Sequence, residues 1–524
     1  MPGSTSSETN LAALLAASAR AHPALPAVAV GATVRHDYGA LAARVARLAA
    51  ALHRSGLAAS DRVALIARNA PEYVEALFAC WHAGLSAVPV NAKLHPAELG
   101  YVLAHSGARW AFVDADWHAE IESAGEARAL QHIVAFGSRE YERLFAGEPV
   151  EPAPVAAADP AWLFYTSGTT GRPKGAILSH ANLRAMSECF LADVEAVAAG
   201  DAILHAAPMS HGSGLYVVPH VQRAAASVVP ESGGFDPAEI AELLVHWRGV
   251  RMFAAPTMVK RLVEQRTLDA PHLANLAAIV CGGAPMYVED CKAACAALGP
   301  RLAQIYGQGE SPMTITAMPR AMLAAAIAAG DDARLGSVGV AQRGIEIRIA
   351  DDAGTALGGG EAGEVLVRGP TVMKGYWKDP KATAAALADG WLHTGDVGSL
   401  DRDGFLTLKD RSKDLVISGG SNIYPREVEE VLQRHPAVVE AAVIGRRHPD
   451  WGEVVVACVV ARAGADAAVV ERELDRLCLA HIARFKRPKA YVFLDGLPRN
   501  STGKVLKTAL RERLATSADA KERR

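Results

Sequence analysis

YTSGTTGRPKG, residues 165–175, decides how the rest of the chain is read. Its eleven residues hold three glycines, four aliphatic hydroxyls, one proline and two cations. Such a segment makes a poor helix interior, and its glycines weaken a strand. It does suit a polyanion: glycine lets backbone N–H groups curl inward, Ser and Thr add hydroxyl donors, and Lys174 supplies a point charge. The apolar AWLF (161–164) precedes it and a helix is predicted from about Ser179. The expected setting is therefore strand, glycine-rich loop, helix, as for a nucleotide triphosphate. Spacing excludes two familiar loops. A Walker A loop needs GxxxxGK[ST], whereas Pro173 precedes Lys174 and Gly175 follows it, and the glycines at 168, 171 and 175 also fail GxGxxG. By glycine spacing alone, a plain surface loop stays open.

The chain has 524 residues, more than one core usually serves, so two or more domains are expected. Half of the residues are apolar and 21% are charged, as in ordinary globular proteins. A net charge of −3 gives no electrostatic reason to expect a nucleic acid partner. The seven cysteines are odd in number and form no CxxC pair. They read as buried free thiols of a reducing compartment, not as disulfides or a zinc site. No run approaches eighteen apolar residues, so no transmembrane segment is expected. LAALLAASARAHPA (11–24) follows Glu8 without a basic segment, and so reads as an amphipathic first helix capped by Asn10, not a secretory signal. A cytoplasmic protein is expected.

From Asn10 to about Ala350, short apolar runs alternate with Ala/Leu-rich stretches: RVALIA (62–67) before APEYVEALFACWHAG (70–84), and AVPVN (87–91) before PAELGYVLAHSG (96–107). That alternation predicts α/β layers with largely parallel sheets. From Gly336 the texture becomes IEIRIADDAG, GEVLVRG and GFLTLKD, a β-rich subdomain in which LGGGEAGE (357–364) is a turn. After KDRSKD (409–414) come a helix in YPREVEEVLQRHP, strands in VVEAAVIG and EVVVACVVA, and a helix in VVERELDRLCLAHI. These predict a small α+β C-terminal domain over 410–524, after a large N-terminal domain over 1–409. The polar 409–414 stretch is the expected hinge, and SADAKERR (517–524) a disordered tail.

YTSGTTGRPKG closely resembles the signature of the adenylate-forming superfamily, which holds acyl-CoA synthetases, luciferases and the adenylation domains of peptide synthetases. The resemblance implies that Thr166, Ser167, Gly168, Thr169, Thr170, Gly171 and Lys174 wrap the β- and γ-phosphates of ATP. Further segments follow in the family's order: APMSHGSGL (207–215), CGGAP (281–285), YGQGES (306–311), GWLHTGD (390–396), KDRSKDLVISGGSNIYPREVEE (409–430) and PRNSTGKVLK (498–507). By resemblance, Gly283, Ala284 and Pro285 flank adenine, Tyr306 stacks on it, and Gly307 and Gln308 border the nucleotide. Glu310, with Thr166, holds Mg²⁺, for which carboxylate oxygen is chemically apt. Asp396 takes the ribose hydroxyls and Arg411 makes a second ribose contact. Asp410 is the pivot, Gly419 and Gly420 border the pantetheine passage, and Lys504 reaches the reacting carboxylate. His211 lies beside an acyl pocket shared with Gly212, Tyr216, Ala255 and Gly309. The family usually carries threonine where this chain has Gly309, which removes a hydroxyl near the α-phosphate and is expected to enlarge that pocket.

The implied reaction is acyl-CoA synthesis in two steps, with ATP and Mg²⁺ in the first and CoA in the second. Lys504, Glu310 and His211 would be catalytic. Pocket residues are expected from 211–216, from FAAPT (253–257) and from 308–313, whose small Gly212, Gly214, Gly309, Ala254 and Ala255 favour a medium- or long-chain fatty acid or an aryl acid over acetate or malonate. Arg223 or Arg251 could still approach a second carboxylate. A free-standing ligase that loads a carrier protein and a catalytically silent nucleotide-binding module are the alternatives. A homodimer is left open.

Overall fold

Strands that are apolar along their whole length need cover on both faces. Arg62–Ala67 and Ser86–Asn91 are such strands; they pair in parallel, and the helices Pro71–His82 and Pro96–Ser106 follow them. Proline opens each helix, where its missing N–H costs nothing. In the computed structural model, which describes residues 6–123, 130–166, 172–284, 286–411, 414–418, 421–500 and 503–522, these strands sit inside a six-stranded sheet. Its order is His132–Ala135, Trp110–Val113, Arg62–Ala67, Ser86–Asn91, Pro160–Thr166, Lys174–Ser179.

A nine-stranded sheet packs against it through shared helices. At its centre, Leu276–Cys281, Val250–Ala254, Ala202–Leu204 and Ala226–Val229 run parallel, and the hairpin Leu302–Gln308/Ser311–Met318 lies to one side. One core joins the two sheets: Leu65, Phe78 and Trp81 are buried together with Val28, Val217 and Tyr306. Trp81 also donates its indole N–H to Ala161 O at 2.9 Å, tying a helix to the strand that leads into the glycine-rich loop.

An antiparallel four-stranded sheet follows: Glu346–Ala350, Gly363–Arg368, Leu392–Leu400 and Leu406–Arg411. Beyond residue 414 the chain builds its own sheet, centred on Val438–His448 and Gly452–Ala461, with a separate core around Val443, Val455 and Leu474. The fold is α/β, with a large N-terminal domain and a smaller C-terminal domain.

Three local expectations change. The glycine-rich loop joins two antiparallel strands, with Thr166 opposite Lys174, so it is a hairpin tip and not a strand-to-helix turn. The helix His180–Cys189 starts only after the second strand, with Ser179 as its N-cap. Asn10 precedes the N-cap Leu11; its Oδ1 accepts from Ala12 N at 2.9 Å, while its amide donates to Trp81 O at 2.6 Å. Residues 517–522, read as a tail, lie in the helix Lys507–Glu522.

Candidate active site

The two ends of the hairpin face Glu310. Thr166 Oγ1 donates to Glu310 Oε1 at 3.4 Å, and Tyr376 OH donates to the same oxygen at 2.7 Å. Lys174 Nζ lies 5.1 Å from the centroid of the Tyr376 ring. Gln308 and Ser311 pair across the hairpin, which puts Gly309 and Glu310 in the connecting turn and aims the carboxylate at the phosphate loop. Burial and the neighbouring Glu310 carboxylate push the Tyr376 hydroxyl pKa up, so Tyr376 stays a donor. Among the described residues no group of three His, Cys, Asp or Glu could hold a metal. Magnesium commonly takes one or two carboxylates and leaves the rest of its shell to water and phosphate, so Glu310 with the Thr166 hydroxyl fits it.

Asp396 is the residue expected on the nucleotide side. It is buried in the strand Leu392–Leu400, and its Oδ2 accepts from Tyr306 OH at 2.7 Å and from Gln308 Nε2 at 2.6 Å. Gln308 Nε2 also donates to Thr394 O at 2.9 Å. Arg411 stands opposite Asp396 in the ladder. Gly283 has φ +85°, which bends the chain just after the strand that carries Cys281.

His211 is the residue expected on the acid side. Its ring stands edge-on to Phe164 with centroids 5.6 Å apart, and Nδ1 lies 3.0 Å from Ser210 Oγ. Burial pushes its pKa down to about 4, so the imidazole is neutral at physiological pH. A β-carbon on Gly212 would lie 2.8 Å from Phe253 Cε1 and 3.2 Å from Met313 Cε. The expected enlargement at Gly309 is corrected: a β-carbon there would meet Phe164 Cδ1 at 2.8 Å and press on the Thr166 methyl. Those two side chains fill the space. Neither arginine considered for a second carboxylate is placed for it. Arg251 is paired with Asp201 at 2.7 Å and Glu195 at 3.6 Å, and Arg223 is exposed. Ala255 caps the helix Pro256–Gln265, and Tyr216 is buried against Phe190.

The C-terminal domain packs its lysine loop against the large domain. A β-carbon on Gly503 would lie 3.8 Å from Thr257 Oγ1, four residues after Phe253. Lys504 N–H donates to Asn500 Oδ1 at 2.8 Å, which shapes the loop. Lys260 Nζ donates to Val439 O at 2.6 Å and Tyr287 OH to Glu429 Oε2 at 3.0 Å, fastening the two domains beside it. Ser167, Gly168, Thr169, Thr170, Gly171, Pro285, Gly419 and Gly420 lie outside the described residues, and Asp410 and Arg411 are described by their backbone alone. The sequence reading missed Tyr376 and Phe164; Phe253, Thr257 and Met313 fall in the segments 253–257 and 308–313 expected to line the pocket, without roles of their own. Tyr376 had a signal, an aromatic between Gly375 and charged residues in a segment with no strand pattern. Phe164 looks like an ordinary core position in its strand.

Residues 15–377 match the AMP-binding enzyme family and residues 427–504 the AMP-binding enzyme C-terminal domain. The chain belongs to this family, within the adenylate-forming superfamily. It is an AMP-forming acid–CoA ligase, with ATP and CoA as substrates. A feruloyl-CoA synthase of Amycolatopsis is 38% identical over 94% of this chain and 97% of its own length. The long-chain-fatty-acid–CoA ligase FadD13 of Mycobacterium tuberculosis is 32% identical over 97% of this chain and 99% of its own. ATP-bound MatB of Rhodopseudomonas palustris, 32% identical, superposes with a TM-score of 0.86 over 96% of this chain and 98% of its own. Its apo form, with the same identity and coverage, gives 0.78, so the arrangement here is nearer the ATP-bound one. No helix among the described residues is long and apolar enough to cross a membrane.

Proposed function

We propose that this ligase activates a monocarboxylic acid with an apolar tail, an aryl acid or a medium- or long-chain fatty acid, as its acyl-adenylate, and then transfers the acyl group to CoA. What supports this reading is the approach of Gly503 to Thr257, which brings the Lys504 loop against the segment that follows Phe253. The nucleotide markers Asp396 and Tyr306 and the phosphate marker Glu310 belong to the same large domain.

In the first step the acid's carboxylate attacks the α-phosphorus of ATP in line and pyrophosphate leaves. The acid is already ionised at pH 7, so no general base is needed. Two anions must meet, and positive charge at their meeting point is the main demand. Lys504 supplies it. Asp396 and Arg411 take the ribose, Tyr306, Gly307, Gln308, Gly283, Ala284 and Pro285 border the base, and Thr166 to Gly171 with Lys174 hold the leaving phosphates. Glu310 and Thr166 would hold Mg²⁺, which when bound neutralises charge on the departing pyrophosphate. Neutral His211 adds no charge and orients the acid.

In the second step a thiolate attacks the mixed anhydride and AMP leaves. We place a hinge at Asp410, between domains 1–409 and 410–524, so that Lys504 withdraws and Gly419 and Gly420 border the thiol's path. Pyrophosphate release from ATP with an acid panel, followed by CoA consumption with no carrier protein added, tests the reading. Loading of a carrier protein with no turnover of CoA would favour the carrier alternative, and no pyrophosphate release with any acid would sink the proposal.

A further inference from the structure

The lysine loop is tied at both of its ends, and each tie ends on a carboxylate of the C-terminal domain. Lys507, three residues beyond Lys504, puts Nζ 2.9 Å from Glu429 Oε1. On the other side, Arg499 donates from Nη2 to Glu440 Oε1 at 2.5 Å. Arg499 Nη1 donates to Gly503 O at 2.6 Å, so its guanidinium grips the backbone immediately before the lysine. Asn500 N–H, next to that arginine, donates to Lys504 O at 2.9 Å. The backbone of Lys504 is thereby placed by Glu429 and Glu440.

Each carboxylate is in turn registered on the large domain. Glu429 is buried on the helix Pro425–Leu432; Oε1 also accepts from Val443 N at 2.8 Å, and Oε2 accepts from Tyr287 OH at 3.0 Å. Burial and the Glu429 carboxylate push the Tyr287 hydroxyl pKa up, so Tyr287 stays a donor. Glu440 follows Val439, whose carbonyl accepts from Lys260 Nζ at 2.6 Å. Lys260 shares the helix Pro256–Gln265 with Thr257, and Asp290 stands 3.3 Å from its Nζ. Glu430, next to Glu429, accepts from Val288 N at 3.3 Å, where the helix Val288–Leu298 begins. A carboxylate suits that place, since first-turn N–H groups have no partner within their own helix.

These bonds fall into two kinds. Those of Glu429 to Lys507 and of Glu440 to Arg499 lie within the C-terminal domain and travel with it. Those from Tyr287, Lys260 and Val288 cross between domains and exist only while the domains are docked as they are here. Hydrogen bonds to ionised groups are the strong ones, and they fix direction as well as distance. A lysine needs such a fixed base, because its ammonium sits on a flexible four-carbon stem. A displacement of about 1 Å originating far from the chemistry can cost about a hundredfold in rate.

We propose that Glu429 and Glu440 are positioning residues for Lys504, and that Tyr287 and Lys260 of the large domain align this pair so that the lysine is set for adenylation only in the docked arrangement. This rests on the ligase reading above, in which Lys504 serves the first step alone.

The test measures each half-reaction of the full-length enzyme in single turnover at saturating ATP, with the fastest of cinnamate, dodecanoate and palmitate as the acid. Tyr287→Phe, Lys260→Met and Glu440→Gln are each expected to slow pyrophosphate release by about tenfold. Thioester formation from supplied acyl-adenylate and CoA stays at about half the wild-type rate or above. The deciding comparison repeats Tyr287→Phe and Lys260→Met in the Lys504→Ala background. There each changes pyrophosphate release by less than about twofold, because no ammonium is left to misplace. Lys260 is partly exposed, so Lys260→Met carries the test should Tyr287→Phe fold poorly. An unchanged first step, equal loss in both steps, a loss confined to KM for ATP, or an effect of full size without Lys504 overturns the inference and leaves the ligase reading standing. Absence of pyrophosphate release by the wild type with every acid sinks the ligase reading, and this inference with it.

Discussion

The ring of Phe164 stands where residue 309 would carry a side chain: its Cδ1 is 2.8 Å from the position of a β-carbon on Gly309. Threonine, which the family resemblance leads one to expect here, does not simply fit. Overpacking of this kind costs about 1–3 kcal/mol. Gly309→Thr is expected to lower the melting temperature and to slow adenylation by about tenfold or more, because Thr166 and Glu310 share the strained corner. Phe164→Ala combined with Gly309→Thr should recover part of both losses. Melting curves and kcat/KM for pyrophosphate release check it; a Gly309→Thr enzyme that is as stable and faster on its own would refute the packing account.

Lys504 is assigned to only one of the two steps. Lys504→Ala should slow acyl-adenylate formation by about a hundredfold or more, the scale on which single electrostatic stabilisers act. Thioester formation from supplied acyl-adenylate should stay within a few-fold of wild type. Single-turnover measurement of each half-reaction separates the two, and equal loss in both would remove the division of labour between the faces of the C-terminal domain.

Tyr376 donates to the same Glu310 oxygen that faces Thr166. Groups that orient a metal-binding carboxylate commonly change metal affinity by about 10–100-fold when lost. Tyr376→Phe is therefore expected to raise the Mg²⁺ concentration for half-maximal pyrophosphate release by about tenfold, with less effect at saturating Mg²⁺. An unchanged Mg²⁺ titration would show that Tyr376 serves packing alone.

The layered fold was legible because it is written in periodicity: RVALIA and AVPVN became parallel strands, and the stretches after them helices, as apolar runs covered on both sides must. The phosphate hairpin was misread because GAILS (175–179) is too short and too close to the glycines for an alternating pattern to declare a strand. Asp396 and Tyr306 could be named from their motifs, but their mutual hydrogen bond joins residues ninety positions apart and no local pattern encodes it. Phe164 was invisible for another reason, and Phe253 was only one residue of an expected pocket segment, 253–257. Each reads as an apolar residue in a buried strand, and only the missing side chains of Gly212, Gly283 and Gly309 give their rings a role.

Buried histidines make the fold sensitive to acid. Burial depresses the pKa of His205 and His220 to about 3 and that of His180 to about 4. His220 is further disfavoured as a cation by nearby Arg251 and His205. Each is neutral when folded, while in the unfolded chain it takes up a proton near pH 6.5. The unfolded state therefore binds more protons between these values, and stability falls as pH drops from about 6.5 towards the folded pKa. For one such histidine the loss between pH 7 and pH 5 is about 2 kcal/mol. His220→Asn keeps a group able to reach Tyr216 O, which His220 Nδ1 meets at 2.7 Å, and cannot be charged. Its stability deficit against wild type, from urea unfolding, should shrink by about 2 kcal/mol between pH 7 and pH 5. A deficit that stays constant across that range would mean that His220 is not held neutral in the folded enzyme.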